Sequence, residues 1–212
     1  MTVTVVYSEC MGNAESVARP ADAESGDVAR ARGGDAQAFE ALVRRREAEV
    51  HRLCVRMLGD REEALEATQD VFLRVFRGLP RFRGEASFRT WVIGIAINVC
   101  RSRLGSRKWR ERRAVASLQR EDPEGGERDE LLVRDPAPSP EERAYGRQLG
   151  VALDSALAQL HPEHREILLL REMEQLEYEE LASVIGCAVG TVKSRLARAR
   201  SALRRALEGI WP

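Results

Sequence analysis

Residues 177–195 read Glu177-Tyr-Glu-Glu-Leu-Ala-Ser-Val-Ile-Gly-Cys-Ala-Val-Gly-Thr-Val-Lys-Ser-Arg195. Leu181, Ala182 and Ile185 fall on one side of a short helix, and Gly186 opens a three-residue turn through Ala188 because glycine enters left-handed backbone without a Cβ clash. A second helix follows from about Val189 to Leu207, with Val192 and Leu196 spaced to anchor it on the first. Thr191 to Arg205 holds six basic residues and no acid. The pattern predicts a helix-turn-helix whose second helix enters duplex DNA. Lys193, Ser194 and Arg198 share one face and are the candidates for base edges and nearby phosphates. Thr191, at the helix start, joins the backbone amides in holding a phosphate. Arg195 and Arg200 stand on the same helix, and Arg195 either joins this surface or turns toward the preceding helix.

Toward the N-terminus, Pro162 suits the first turn of a helix carrying Ile167, Leu168 and Leu170. Before it, Leu149, Leu153, Ala156, Leu157 and Leu160 form the stripe of a helix opening near Glu141. Residues 114–140 contain Asp-Pro, Gly-Gly and Asp-Pro-Ala-Pro-Ser-Pro, which exclude regular structure over most of their length and predict a flexible linker. Upstream, Asp35 caps a helix bearing Phe39, Leu42, Val43, Val50, Leu53, Cys54, Met57 and Leu58, which Gly59 ends. A second helix from Asp60 turns Ala64, Thr68, Val71, Phe72, Val75 and Phe76 inward and Glu63, Glu66, Gln69, Asp70 and Arg74 outward, stopping before Pro80. After a basic loop, Leu79 to Ser87, a third helix carries Phe88, Trp91, Val92, Ile95, Ala96 and Val99. The first thirty residues lack periodicity and are expected to be a mobile tail, with order beginning at Asp35.

Composition agrees with an all-α protein of two small domains: 212 residues, 43% apolar, 32% charged and only 5% aromatic. The expected division is a tail over 1–30, a helical bundle over 31–113, the linker over 114–140 and the helix-turn-helix domain over 141–212. Formal net charge is zero, which by itself argues against a nucleic-acid partner, but the sum conceals a sorting. Arg101 to Arg113 holds seven basic residues and one acid, whereas Ser117 to Glu142 holds nine acids against three arginines. Two basic faces joined by an acidic connector result. Cys10, Cys54, Cys100 and Cys187 are far apart, without a C-x-x-C pair or a histidine at ligand spacing, so neither disulfides nor a metal is expected, nor any cofactor. Thr2 to Tyr7 is too short for a signal peptide, and no apolar run approaches the roughly 20 residues of a membrane span. A cytoplasmic protein without membrane insertion is expected.

Phe82-Arg-Gly-Glu-Ala-Ser-Phe-Arg-Thr-Trp91 with Ile95-Ala-Ile-Asn98 resembles the promoter-melting segment of extracytoplasmic-function (ECF) sigma factors, a branch of the bacterial sigma-70 family. Leu170-Arg-Glu172, Tyr178-Glu-Glu-Leu-Ala182 and Val189-Gly-Thr-Val-Lys-Ser-Arg195 resemble their fourth domain. The likeness covers about residues 33–113 and 141–208. It implies a factor that binds core RNA polymerase, reads −10 and −35 promoter elements about two helical turns apart, and helps melt the DNA. Glu63, Glu66, Gln69 and Asp70 would grip a basic coiled coil of the largest polymerase subunit, with further contact at the flap. Around the loop, Arg81, Arg83, Glu85 and Ser87 would supply donors and acceptors to flipped −10 bases, with Phe88 and Trp91 as an apolar wall. Asn98 would face the separated strands, and Arg101, Arg103, Arg107 and Lys108 would extend a phosphate-binding surface. The acidic linker would thread the polymerase cleft, and an anti-sigma factor would cover the same faces until released. The chain departs from the family at Ala188, where proline is common, at Glu177, where Ser or Asp would cap a helix, and at Ser102, often Asp or Asn.

Two other classes fit less well. A stand-alone regulator would leave Arg81 to Trp91 unexplained. A recombinase or nuclease needs a metal-binding carboxylate set or a nucleophile, and the carboxylates here read as solvent faces or linker.

Overall fold

In the computed structural model, residues 21–106 and 140–208 are described, and among them the chain is helical with no strand. Helix α2 (Ala36–Leu58) begins where Asp35 accepts hydrogen bonds from the Gln37 and Ala38 amides at 2.9 and 3.1 Å, and ends at left-handed Gly59, φ 74°. Helix α3 (Arg61–Gly78) starts at Asp60, whose carboxylate takes the Glu63 amide at 2.8 Å. A 3₁₀ turn at Leu79–Arg81 absorbs Pro80. Helix α4 (Phe88–Gly105) starts at Ser87, whose hydroxyl accepts from the Thr90 amide at 3.0 Å. Leu42, Leu53, Met57, Val71, Ile93 and Ile97 fill the centre of this bundle. Cys54 and Cys100 are free thiols, fully buried, with sulfurs 3.8 Å apart. The hydrogen bond to Cys54, together with burial, pushes the Cys100 thiol far above its usual pKa.

Order begins earlier than the sequence suggests. Helix α1 (Ala21–Arg32) packs on α2, burying Val28, where a mobile tail was expected to extend to residue 30. One strongly apolar residue in twelve leaves no periodic signal. Ion pairs add to this packing, Arg45 to Asp27 at 3.0 Å and Arg46 to Glu24 at 2.6 Å. Two further positions are reversed on α3. Phe76, expected inward, is 60% exposed, and Glu63, expected outward, is buried beneath Arg103.

The second domain is built from α5 (Pro140–Gln159), α6 (Pro162–Leu168), α7 (Tyr178–Ile185) and α8 (Val189–Glu208). Helix α6 widens into a π turn at Leu169–Met173, after which Gln175 adopts φ 51°. Arg171 secures this reversal by donating to the Leu176 carbonyl at 2.7 Å. Glu177 does not leave α7 unsatisfied, because Glu180 reaches back to accept its amide at 3.0 Å. Gly186, φ 77°, makes the turn into α8. The linker expected over 114–140 lies almost wholly outside the described residues.

The two domains pack against each other. Helix α4 meets α7, and the ends of α2 meet α5 and α6, so a single apolar core runs through both. Periodicity implied separate modules and gave no sign of this seam.

Candidate functional site

Three surfaces carry the residues singled out by sequence. The first lies on α3, where Glu66, Gln69 and Asp70 reach solvent or half-reach it. Arg103, from α4, bonds Asp70 at 2.6 Å, Glu63 at 3.0 Å and Glu66 at 3.2 Å. Arg103 is therefore an internal partner of these carboxylates, not part of an open phosphate surface. Leu65, Leu73 and Phe76 are 54%, 53% and 60% exposed on the same helix, so the acids stand within an apolar strip. Sequence reading missed Leu65 and Leu73 and placed Phe76 inward. Leu65 and Leu73 break the inward period of α3, a signal that was available.

The second surface is the loop before α4. Arg81, Arg83, Glu85 and Ser87 are exposed, and Arg83 lies only loosely against Glu85 at 3.9 Å. Behind them stands an aromatic wall in which Phe82 lies 4.8 Å from Trp91 and 6.0 Å from Phe88, ring centre to ring centre. Phe88 is buried and Trp91 half-buried, so Phe88 is core and Trp91 forms the rim. Phe82 belongs to the wall although the site reading omitted it. Gly78 lies close beneath this wall: a Cβ there would stand 3.1 Å from the Trp91 ring, which would have to give by a few tenths of an ångström. Ser87 is committed twice, to the Thr90 amide and to the Thr90 hydroxyl at 2.8 Å. Asn98 is exposed farther along α4. Arg101 is not free: it forms a bidentate pair with Glu166 of the second domain at 2.6 and 2.8 Å. Arg107 and Lys108 lie outside the described residues.

The third surface is the outer face of α8. Val192, Leu196, Ala199 and Leu203 are buried beneath it, while Lys193, Ser194 and Arg198 are exposed together. The Ser194 hydroxyl donates to the Thr191 carbonyl at 3.0 Å. The Lys193 ammonium lies 5.6 Å above the Tyr178 ring, which steadies it without neutralising it. Arg200 is not on this surface, because Glu172 holds it at 2.7 Å. Arg195 turns inward, lining a cavity of about 320 Å³ with Arg101, Glu163, Glu166, Ile167 and Ile185. Of the two readings open for Arg195, this is the inward one.

Between the domains, Arg89 bonds Glu49 of α2 and, at 2.7 Å, Glu174 of the second domain. Burial, reinforced by the Glu49 charge and hydrogen bond, pushes the Glu174 carboxyl up to about 8. Burial also works to raise Glu49, but Arg89, Glu174 and Arg46 outweigh it and hold Glu49 below the usual range. Glu174 thus keeps its proton in the folded chain and shares it with Glu49. The folded state binds that proton at pH values where the unfolded chain has released it, so the contribution of Glu174 is full below about pH 4.5 and is lost as pH rises toward 8, by at most about 1.4 kcal/mol per unit. Thermal melts from pH 5 to 9 should show this decline, and Glu174→Gln should flatten it. A wild-type curve that rises over that interval would refute the assignment.

These surfaces define a two-domain helical protein that carries an aromatic-backed basic loop in its first domain and a helix-turn-helix in its second. Residues 42–110 match the Sigma-70 region 2 family, and residues 150–203 match Sigma-70 region 4. The chain is 36% identical over 183 residues to the RNA polymerase sigma-H factor of Pseudomonas aeruginosa, covering 86% of this chain and 93% of that one. It is 32% identical over 178 residues to the ECF RNA polymerase sigma-E factor of Escherichia coli K12, covering 83% and 90%. The solved structure of CnrH in complex with the cytosolic domain of CnrY superposes with a TM-score of 0.61 at 24% identity, over 89% of this chain and 99% of that one, a likeness of fold. The chain belongs to the sigma-70 family of RNA polymerase sigma factors, in its extracytoplasmic-function branch. It directs promoter-specific initiation of transcription.

Proposed function

We propose that the three surfaces divide the work of promoter selection. The α3 strip, with Glu66, Gln69 and Asp70 set among Leu65, Leu73 and Phe76, grips the basic coiled coil of core polymerase, and Glu63 positions it from beneath through Arg103. The loop 81–87 with Trp91 and Phe82 captures unpaired −10 bases, and Asn98 faces the strands. Lys193, Ser194 and Arg198, with Thr191 at the helix start, read −35 DNA, and the second domain also meets the flap. The boundaries 31–113 and 141–212 describe these working units, except that the first extends back to Ala21. An anti-sigma factor covering these faces fits the family resemblance, as does a cytoplasmic location. In keeping with the first, the solved structure of CnrH is a complex with the cytosolic domain of CnrY. No covalent step belongs to this chain, since bond formation is the polymerase's chemistry.

One observation carries the reading: Arg81, Arg83, Lys193 and Arg198 stay exposed on two surfaces, whereas Arg101, Arg103 and Arg200 are spent on internal carboxylates. Exposed cations without a fixed carboxylate are the ones that can release counterions on a phosphate backbone. Run-off transcription with core polymerase on a promoter pool, with and without this protein, tests it. A subset of promoters should gain initiation, and if none does, the reading fails. Within that assay Arg198→Ala should weaken −35 recognition by about 1–3 kcal/mol while leaving core affinity intact. Equal loss of core affinity would contradict the division of labour.

A further inference from the structure

Cys54 and Cys100 are buried nucleophiles that promoter selection does not use. They stand 46 residues apart in sequence, so spacing gave no sign of a pair, but α2 and α4 bring their sulfurs to 3.8 Å. Both side chains are fully enclosed, and the Cys100 thiol donates toward the Cys54 sulfur. One side of Cys54 is polar. The Thr68 hydroxyl of α3 adjoins it, half-buried His51 lies 3.4 Å from that hydroxyl, and Arg103 adds its charge. The Cys100 bond, with Thr68 and Arg103, holds the Cys54 thiol below its usual pKa against the opposing effect of burial. The thiolate is the form of cysteine that attacks an oxidant, so the two sulfurs are unequal.

We propose that Cys54 and Cys100 are a disulfide site inside the first domain, closed by hydrogen peroxide, with Cys54 as the attacking sulfur and Cys100 as the resolving one. The Cys54 thiolate attacks one peroxide oxygen, the O–O bond breaks, and the other oxygen leaves as hydroxide and takes up a proton to become water. Cys100 then attacks the sulfur of the resulting sulfenic acid, the S–O bond breaks, and a second water departs. Two thiols give up two electrons and two protons, and one peroxide becomes two waters. A disulfide bond is about 2.05 Å long, so closure asks the sulfurs to approach by about 1.8 Å. The bond ties α2 to α4 one turn before Arg103, the residue that organises Glu63, Glu66 and Asp70. Joining residues this far apart in the chain removes conformations from the unfolded state, so the oxidised domain is the more stable form. Enclosure sets the rate. Peroxide meets Cys54 only when the bundle opens locally, and the same enclosure then shields the disulfide from reductant. The product is a slow, lasting staple, and it does not depend on which surfaces read DNA.

The full-length wild type tests this without any substitution. It is incubated with hydrogen peroxide in urea below its unfolding transition, then denatured, alkylated and mapped by mass spectrometry. One cross-linked pair of peptides should appear, carrying Cys54 and Cys100 and lighter than the reduced pair by two hydrogens. Freed of urea, the oxidised chain should melt about 5 °C or more above the reduced chain. Dithiothreitol under denaturing conditions, followed by refolding, should reverse both results. Cys10→Ser and Cys187→Ser should keep the cross-link and the shift, and Cys54→Ser should lose both. The mapping needs no variant, so it decides the matter even where Cys54→Ser does not fold. Cys54 and Cys100 both recovered alkylated, either one joined to Cys10 or Cys187 instead, or an oxidised chain that melts at or below the reduced one would each overturn the proposal.

Discussion

Replacing Arg165 with methionine should lower the stability of the chain by about 3–5 kcal/mol, the sum expected when several backbone carbonyls lose their bonds to one buried charged donor. Arg165 is 1% exposed, and its guanidinium donates to the carbonyls of Leu157, Ala158 and Met57, each at 2.8 Å, and to Leu160 at 3.4 Å. Leu157 and Ala158 close α5, and Met57 closes α2. Carbonyls in a last helical turn have no intrahelical partner, and the helix dipole places negative charge there. One cation therefore satisfies two helix ends that belong to different domains. Methionine keeps most of the volume but leaves several buried acceptors unpaired, each costing about 1–3 kcal/mol before relaxation. Lysine should recover only part of the loss, because a single ammonium cannot reproduce the fork that spans both helix ends. Urea denaturation measures the effect. A loss under 1 kcal/mol would show that water reaches those carbonyls and that Arg165 does not join the domains.

The second large effect is expected at Asp70. Asp70→Lys should weaken binding to core polymerase by about 2 kcal/mol or more, roughly 30-fold, while the isolated fold persists. The Asp70 carboxylate is 46% exposed and lies 2.6 Å from Arg103, so it has one internal partner and room for an external one. A lysine there repels an approaching basic helix and also faces Arg103, which still holds Glu63 and Glu66. Asp70→Asn, which removes charge without reversing it, should fall between. Binding titrations against core polymerase, with Arg198→Ala as the variant that leaves this step alone, separate a lost contact from general damage. Wild-type affinity in Asp70→Lys would move the polymerase contact off α3.

Much of the fold was legible because its signals are local. Asp35, Asp60 and Ser87 each cap a helix through an amide two or three residues on, and Gly59 and Gly186 terminate one through their own backbone freedom. Ser87 shows the limit of such reading: it was singled out as a donor or acceptor for −10 bases, and the start of α4 under its hydroxyl was not read. The candidate site was legible in outline for the same reason. Lys193, Ser194 and Arg198 share a face by helical geometry alone, and the family likeness marked the loop before α4.

What the chain alone determined is the set of helices, the helix-turn-helix at residues 177–207 and the sorting of charge into basic and acidic blocks, since each depends on neighbours within a turn or so. Which arginines remain available was settled only in three dimensions. Arg101, Arg103 and Arg200 read as cations of a basic face, yet Glu166, Asp70 and Glu172 neutralise them across the fold. Periodicity reports which side of a helix is apolar, but an ion pair depends on what lies opposite. For α1, whose ion pairs reach α2, and for the seam under Arg165, the partner comes from a distant part of the chain.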